Sequence, residues 1–153
     1  VNMSVSHADK TMQHHFRPDY SSYHVVSYDT ITGLPHRKQT HQGYADESSW
    51  SRGQSWGLYG YTYLYRELKD KRYLDQAINI ADFLIAHPRM PEDYIPYWDY
   101  DAPDIPDTYR DVSAACIMAS ALIELSDFVD AKSARMLLKS KSEHWLPQLI
   151  RLS

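Results

Sequence analysis

The chain has 153 residues, 16 basic against 20 acidic, a net charge of −4 with histidine neutral, and one cysteine. That length suits a single domain with a real core, and the acidic balance with scattered Lys and Arg excludes the basic face of a nucleic-acid binder. Lone Cys116 excludes an intrachain disulfide and a cysteine-based zinc site, and no apolar run approaches the roughly 20 residues of a membrane span, so neither nucleic acid nor membrane is an expected partner.

Along the chain, Val1, Val5, Ala8 and Met12 share one stripe, which predicts an amphipathic helix over residues 1–15 that Pro18 ends. The opening VNMSVSHADK is already in helical periodicity, so a natural segment before Val1 is expected. Next, YHVVSYDTITG (23–33) combines β-branched residues with a Thr-Gly turn and predicts a short ribbon, and polar LPHRKQTHQG follows it. Residues 49–68 read as a helix that Lys69 and Asp70 end. Residues 71–86 form the clearest amphipathic pattern, with Tyr73, Ala77, Ile80 and Leu84 on one face and Lys71, Asp75, Asn79 and Asp82 off it. Five prolines in 87–107 predict a loop. Residues 111–128 read as a small-residue helix with Asp111 at its N-cap and Cys116 as a small core residue, and a last helix is expected over 130–142.

Two helical hairpins result, 49–68 with 71–86 and 111–128 with 130–142. Each pairs a helix rich in aromatic or small residues with a more amphipathic one. That alternation suits a double-layered helical toroid, with inner helices buried on both sides, and an ordinary helical bundle is equally made of such hairpins. Two hairpins cannot close a ring, so the chain reads as part of one.

The composition is unusual in its rings, 13 Tyr and 4 Trp against 3 Phe. Rings with a polar handle suit surfaces that are half apolar and half wet, as a sugar is, although most of them are read as ordinary core aromatics. In YADESSWSRGQSWGLYGY (44–61), Arg52 and Trp56 are four apart and share a helix face. A guanidinium grips a carboxylate through paired hydrogen bonds, and an indole one turn away offers a flat apolar wall, a pair suited to an acidic ring. Gly53 and Gly57 keep the surface beside them thin, at about 1 kcal/mol each relative to Ala. Spacing alone favours the plainer arrangement, with Arg52 paired to Asp46 or Glu47 and Trp56 in the core.

His14, His15, His24, His36 and His41 form no HExxH, and DYDAPD (99–104) carries Pro103 and Asp104 where a calcium loop needs other residues, so no metal or other cofactor is expected. Those aspartates read as turn and cap residues. There is no phosphate loop and no nucleophile elbow, and Asp46 with Glu47 makes no convincing carboxylate pair.

RPDYSSYHVVSYDTITG, THQGYADESSWSRGQSWGLYGY, IPYWDYDAP and RDVSAACIMASALIEL, in this order over about residues 1–135, resemble the unsaturated glucuronyl hydrolases, glycoside hydrolase family 88. The related unsaturated rhamnogalacturonyl hydrolases typically carry RGNGW where this chain has RGQSW. The resemblance implies an all-α fold, part of an (α/α)6 six-hairpin barrel with a short β-ribbon near residues 23–40, and residues 1–153 as a piece of one such domain. It implies hydration of the C4=C5 bond of an unsaturated uronic acid at the non-reducing end of lyase-generated oligosaccharides, which are the expected partners. His24, Gln42, Arg52 and Trp56 match the family's substrate-contacting positions. The family's catalytic Asp belongs to a segment upstream of Val1, so no catalytic residue is expected here. The alternative readings are a relative of the unsaturated rhamnogalacturonyl hydrolases, or a catalytically inactive carbohydrate-binding helical piece that self-associates through the open edge of the incomplete barrel.

Overall fold

A computed structural model describes residues 2–129, and the helix expected over 130–142 lies outside the described residues. The order is helix α1 (Asn2–His14), strands β1 (Val25–Tyr28) and β2 (Pro35–Gln39), then helices α2 (Ser51–Leu68), α3 (Lys71–Ala86) and α4 (Val112–Leu125). Helix α2 packs on both α3 and α4.

The α2–α3 hairpin forms where the sequence places it. Lys69 adopts the left-handed conformation (φ 55°) and returns its N–H to the Tyr65 carbonyl, closing α2. Asp70 then accepts the Arg72 N–H and starts α3, so two residues turn the chain. All four residues of the expected apolar face, Tyr73, Ala77, Ile80 and Leu84, are buried. They meet Leu58 and Tyr61 of α2 and Met118, Leu122 and Leu125 of α4 in one core. Helix α1 joins it through buried Ala8, whose carbonyl accepts the Tyr61 hydroxyl at 2.9 Å, and through Asp9, which accepts the Tyr73 hydroxyl at 2.8 Å.

The ribbon is antiparallel, pairing Val25 with Gln39, Val26 with Lys38 and Ser27 with Arg37, with an irregularity before Tyr28 meets Pro35. Its second strand comes from the polar stretch PHRKQ. Few apolar residues are needed there, because the strand has partly buried residues at only three of its five positions.

The five-proline segment has no helix or strand, yet residues 95–100 are held on both sides. The Ser51 N–H donates to the Trp98 carbonyl and the Tyr100 N–H to the Ser49 carbonyl. The Trp98 N–H donates to Tyr109 and the Asp111 N–H to Pro96. This strap therefore ties the N-terminal ends of α2 and α4 together. Fully buried Asp99 extends the tie, accepting the Tyr44 N–H at 2.9 Å and the Ser48 hydroxyl at 2.7 Å through Oδ2, and the Asp101 N–H through Oδ1. It is a long-range anchor, where its sequence neighbourhood reads as a local turn.

Candidate functional site

Three of the four residues named from the sequence gather at the N-terminal end of α2. His24, just before β1, has its Nδ1 within hydrogen-bond range of the backbone N–H groups of His41 (3.1 Å) and Gln42 (3.2 Å) and of the Thr40 hydroxyl (3.2 Å). Backbone N–H groups can only donate, so Nδ1 is the acceptor and the ring proton sits on Nε2. Burial, with a smaller repulsion from His41, lowers the His24 pKa and keeps the ring neutral. The ring is thus locked as a donor at Nε2. Gln42 shares this arrangement through its backbone and leaves its side chain exposed.

The face of His24 packs on Trp50, with ring centroids 4.3 Å apart. The Arg52 guanidinium carbon also lies 5.6 Å from the Trp50 indole centroid. Gly53 gives the indole its room, since a Cβ there would fall 2.9 Å from Trp50 Cε3. Trp50 is the residue that sequence reading missed, and its signal was available inside the same motif.

Arg52 pairs with neither Asp46 nor Glu47. Asp46 instead accepts the Thr40 N–H, and Glu47 pairs with Arg17. The Arg52 partner is Asp111, 59 residues on, whose Oδ2 accepts from both Nε and Nη2 at 3.0 Å. The Asp111 side chain is 4% exposed and that of Arg52 41%, so a buried carboxylate aims a half-open guanidinium. Oδ1 of the same carboxylate accepts the Ala114 N–H and caps α4, as the sequence predicts. Nη1 of Arg52 has no hydrogen-bond partner among the described residues, which leaves donors for an anionic group.

Trp56 is not in the core. It is 54% exposed, with its ring edge-on to Tyr59 at 5.9 Å. One turn beyond Arg52, it borders a cavity of about 300 Å³ in the α2–α4 seam, lined also by Tyr59, Cys116, Ile117 and Ser120. Cys116 is therefore an exposed lining residue, not the core residue its Ala-rich neighbourhood implies. On its other side Trp56 borders an apolar groove of about 610 Å³ between α1 and α2, with Met3, Gly57, Gly60 and Tyr63 on its walls. Among the described residues no three His, Cys, Asp or Glu side chains converge as a metal site.

The N-terminal half of α2 thus carries an aimed guanidinium and an exposed indole one turn apart, with the donor-locked imidazole of His24 packed on Trp50 at its start. No family model matches the chain. It is 48% identical over 132 residues to the unsaturated glucuronyl hydrolase of Formosa agariphila, an alignment covering 86% of this chain and 33% of that protein. The chain belongs to the unsaturated glucuronyl hydrolase family. A solved unsaturated glucuronyl hydrolase specific for heparin superposes with a TM-score of 0.91 at 48% identity, covering 95% of this chain and 38% of that one. A variant of the Streptococcus agalactiae unsaturated glucuronyl hydrolase, complexed with dGlcA-GalNAc6S, superposes with a TM-score of 0.80 at 31% identity, covering 95% and 38% of the two chains. The helices are thus part of the (α/α)6 barrel of the glucuronyl hydrolases, and the chain spans about a third of the length of the curated relatives it matches.

Proposed function

We propose that this chain supplies sugar contacts to an unsaturated glucuronyl hydrolase, the enzyme that hydrates the C4=C5 bond of a non-reducing-end unsaturated uronic acid. The observation that carries this reading is the Arg52–Asp111 pair beside exposed Trp56, because a buried carboxylate holds a cation where an acidic ring would lie. In this reading Trp56 lies against the ring, Arg52 grips an acidic or sulfated group, and neutral His24 donates through Nε2. Gln42 adds an amide from its exposed loop. The reaction needs a proton at C4 and water at C5, where the ring oxygen stabilises the developing positive charge. These four residues orient the ring for that step and transfer no proton; the acid is an Asp outside this chain, and residues 1–153 are one piece of a single domain.

The test is calorimetric titration of the chain with unsaturated chondroitin disaccharide, alongside loss of the substrate's ultraviolet absorbance. Binding without turnover is expected. Arg52→Ala is expected to weaken binding about 10- to 100-fold, the value of charged hydrogen bonds worth about 1.5–3 kcal/mol. Absence of binding would overturn the sugar-contact reading, and turnover would show that a carboxylate within these residues serves as the acid. Tighter binding of an unsaturated rhamnogalacturonan disaccharide would instead show that these residues prefer the ligand of the rhamnogalacturonyl relatives.

We further propose that the isolated chain self-associates through its open edge, a second copy covering the apolar groove between α1 and α2. Met3 at 86% exposure, with Trp56 and Tyr63, supports this, because apolar side chains grouped along one groove are costly to leave in water.

A further inference from the structure

Helix α1 and the ribbon enclose a second cavity, of about 200 Å³, whose walls are His7, Lys10, Thr11, His15, Tyr28 and Gly33. The α1 residues are spaced so that they share one helix face. Across from them, Tyr28 of β1 stacks on His15 with centroids 6.1 Å apart, and the turn at Gly33 comes close enough that a Cβ there would lie 3.8 Å from Lys10 Nζ.

The charge in this cavity is one-sided. No carboxylate lines it. The side chains of His7, Lys10 and Thr11 make no hydrogen bond or ion pair with any described residue. The nearby acids are committed elsewhere, Asp9 to the Tyr73 hydroxyl and Arg72, and Asp29 to the N–H groups of Ile31 and Thr32. Lys38 from β2 adds positive charge near His15, and His14 from α1 lies edge-on to Tyr28 beside it. An unpaired Lys10 ammonium among imidazoles and a hydroxyl that can hydrogen-bond, with no carboxylate in the lining, suits an anion. The cavity's volume exceeds the roughly 30 Å³ share of one water, so a group of several heavy atoms fits.

We propose that this cavity binds an oxyanion, the sulfate or carboxylate group of an acidic ligand, through the Lys10 ammonium, the Thr11 hydroxyl and the His7 and His15 imidazoles. It is separate from the Arg52 site and does not rest on the sugar-contact reading.

The two linked quantities are anion binding and the charge of His15. Burial first, then His7, His14 and Lys38, hold the His15 pKa down to about 4, so the ring is neutral without an anion. An anion in the cavity offsets both effects and favours the protonated ring, so binding tightens as pH falls, and His15 titrates higher when the anion is present.

The experiment follows the His15 ring by nuclear magnetic resonance through a pH titration of the full chain. Sodium sulfate, sodium acetate and sodium chloride are compared at equal ionic strength. Sulfate is expected to raise the His15 pKa by about one unit or more over chloride, the usual size of an opposite-charge effect at close range. An equal rise with acetate assigns general oxyanion chemistry, and a rise confined to sulfate assigns a sulfate group. Lys10→Gln and His7→Gln are expected to weaken sulfate binding severalfold, whereas Arg66→Gln, on exposed α2 surface, leaves it unchanged. No rise with either anion, or a rise that persists in both Lys10→Gln and His7→Gln, overturns the proposal.

Discussion

Asp111 shows how one carboxylate can serve two structures. Oδ1 caps α4 and Oδ2 aims Arg52, so the two roles separate by substitution. Asp111→Asn keeps a good N-cap but loses the charge; Asp111→Ala loses both, with a cap worth about 1 kcal/mol. Urea denaturation is therefore expected to show a larger loss for Asp111→Ala than for Asp111→Asn, while both weaken disaccharide binding. His15 gives a pH-dependent counterpart. Its folded pKa lies near 4, below the ordinary histidine value of about 6.5, so the unfolded chain takes up the proton first. Stability is accordingly lost as pH falls through the window from about 6.5 to 4, and His15→Gln is expected to remove part of that loss in thermal melts. At this scale the sequence showed half of each pair. The Arg52–Trp56 spacing was readable because a helix fixes it, but the Arg52 partner lies 59 residues away, and local spacing pointed to the wrong acids. Cys116 misled for a related reason: α4 has apolar residues on more than one side, so composition does not say which side meets the core.

Elements were legible in proportion to how asymmetric their surroundings are. Helix α3, with one buried and one wet face, was readable nearly to the residue. Helix α2 begins at Ser51, two residues later than its pattern implies, because Ser49 and Trp50 are taken up by the strap. Strand β2 carries no apolar alternation of its own in PHRKQ, since its place depends on the ladder with β1. It is expected only through the ribbon near residues 23–40 that the family resemblance implies. The start of α3 offers a direct test. Asp70 caps it with no other element's help, so Asp70→Ala is expected to cost about 1 kcal/mol in denaturant midpoint analysis, with no change in binding at the α2 end.

For the whole molecule, the alternation of inner and outer helices fits a toroid or a bundle alike. The choice of the (α/α)6 barrel comes from the family motifs, and the likeness to solved glucuronyl hydrolases bears it out. The groove between α1 and α2 could not be read from the sequence, because which residues line a groove is decided by packing. Sedimentation velocity is expected to show concentration-dependent association, reduced by Met3→Glu, whose side chain is 86% exposed. A species of constant monomer mass across concentration would count against a second copy in the groove. The strap across the ends of α2 and α4 has a further consequence, in time. Its amides at Trp98 and Tyr100, and those of Ser51 and Asp111 that flank it, are all engaged, so their exchange with deuterated solvent requires the two helix ends to part. A segment that looks like a loop by its prolines should therefore keep its hydrogens about as long as the helices it joins, and release them together.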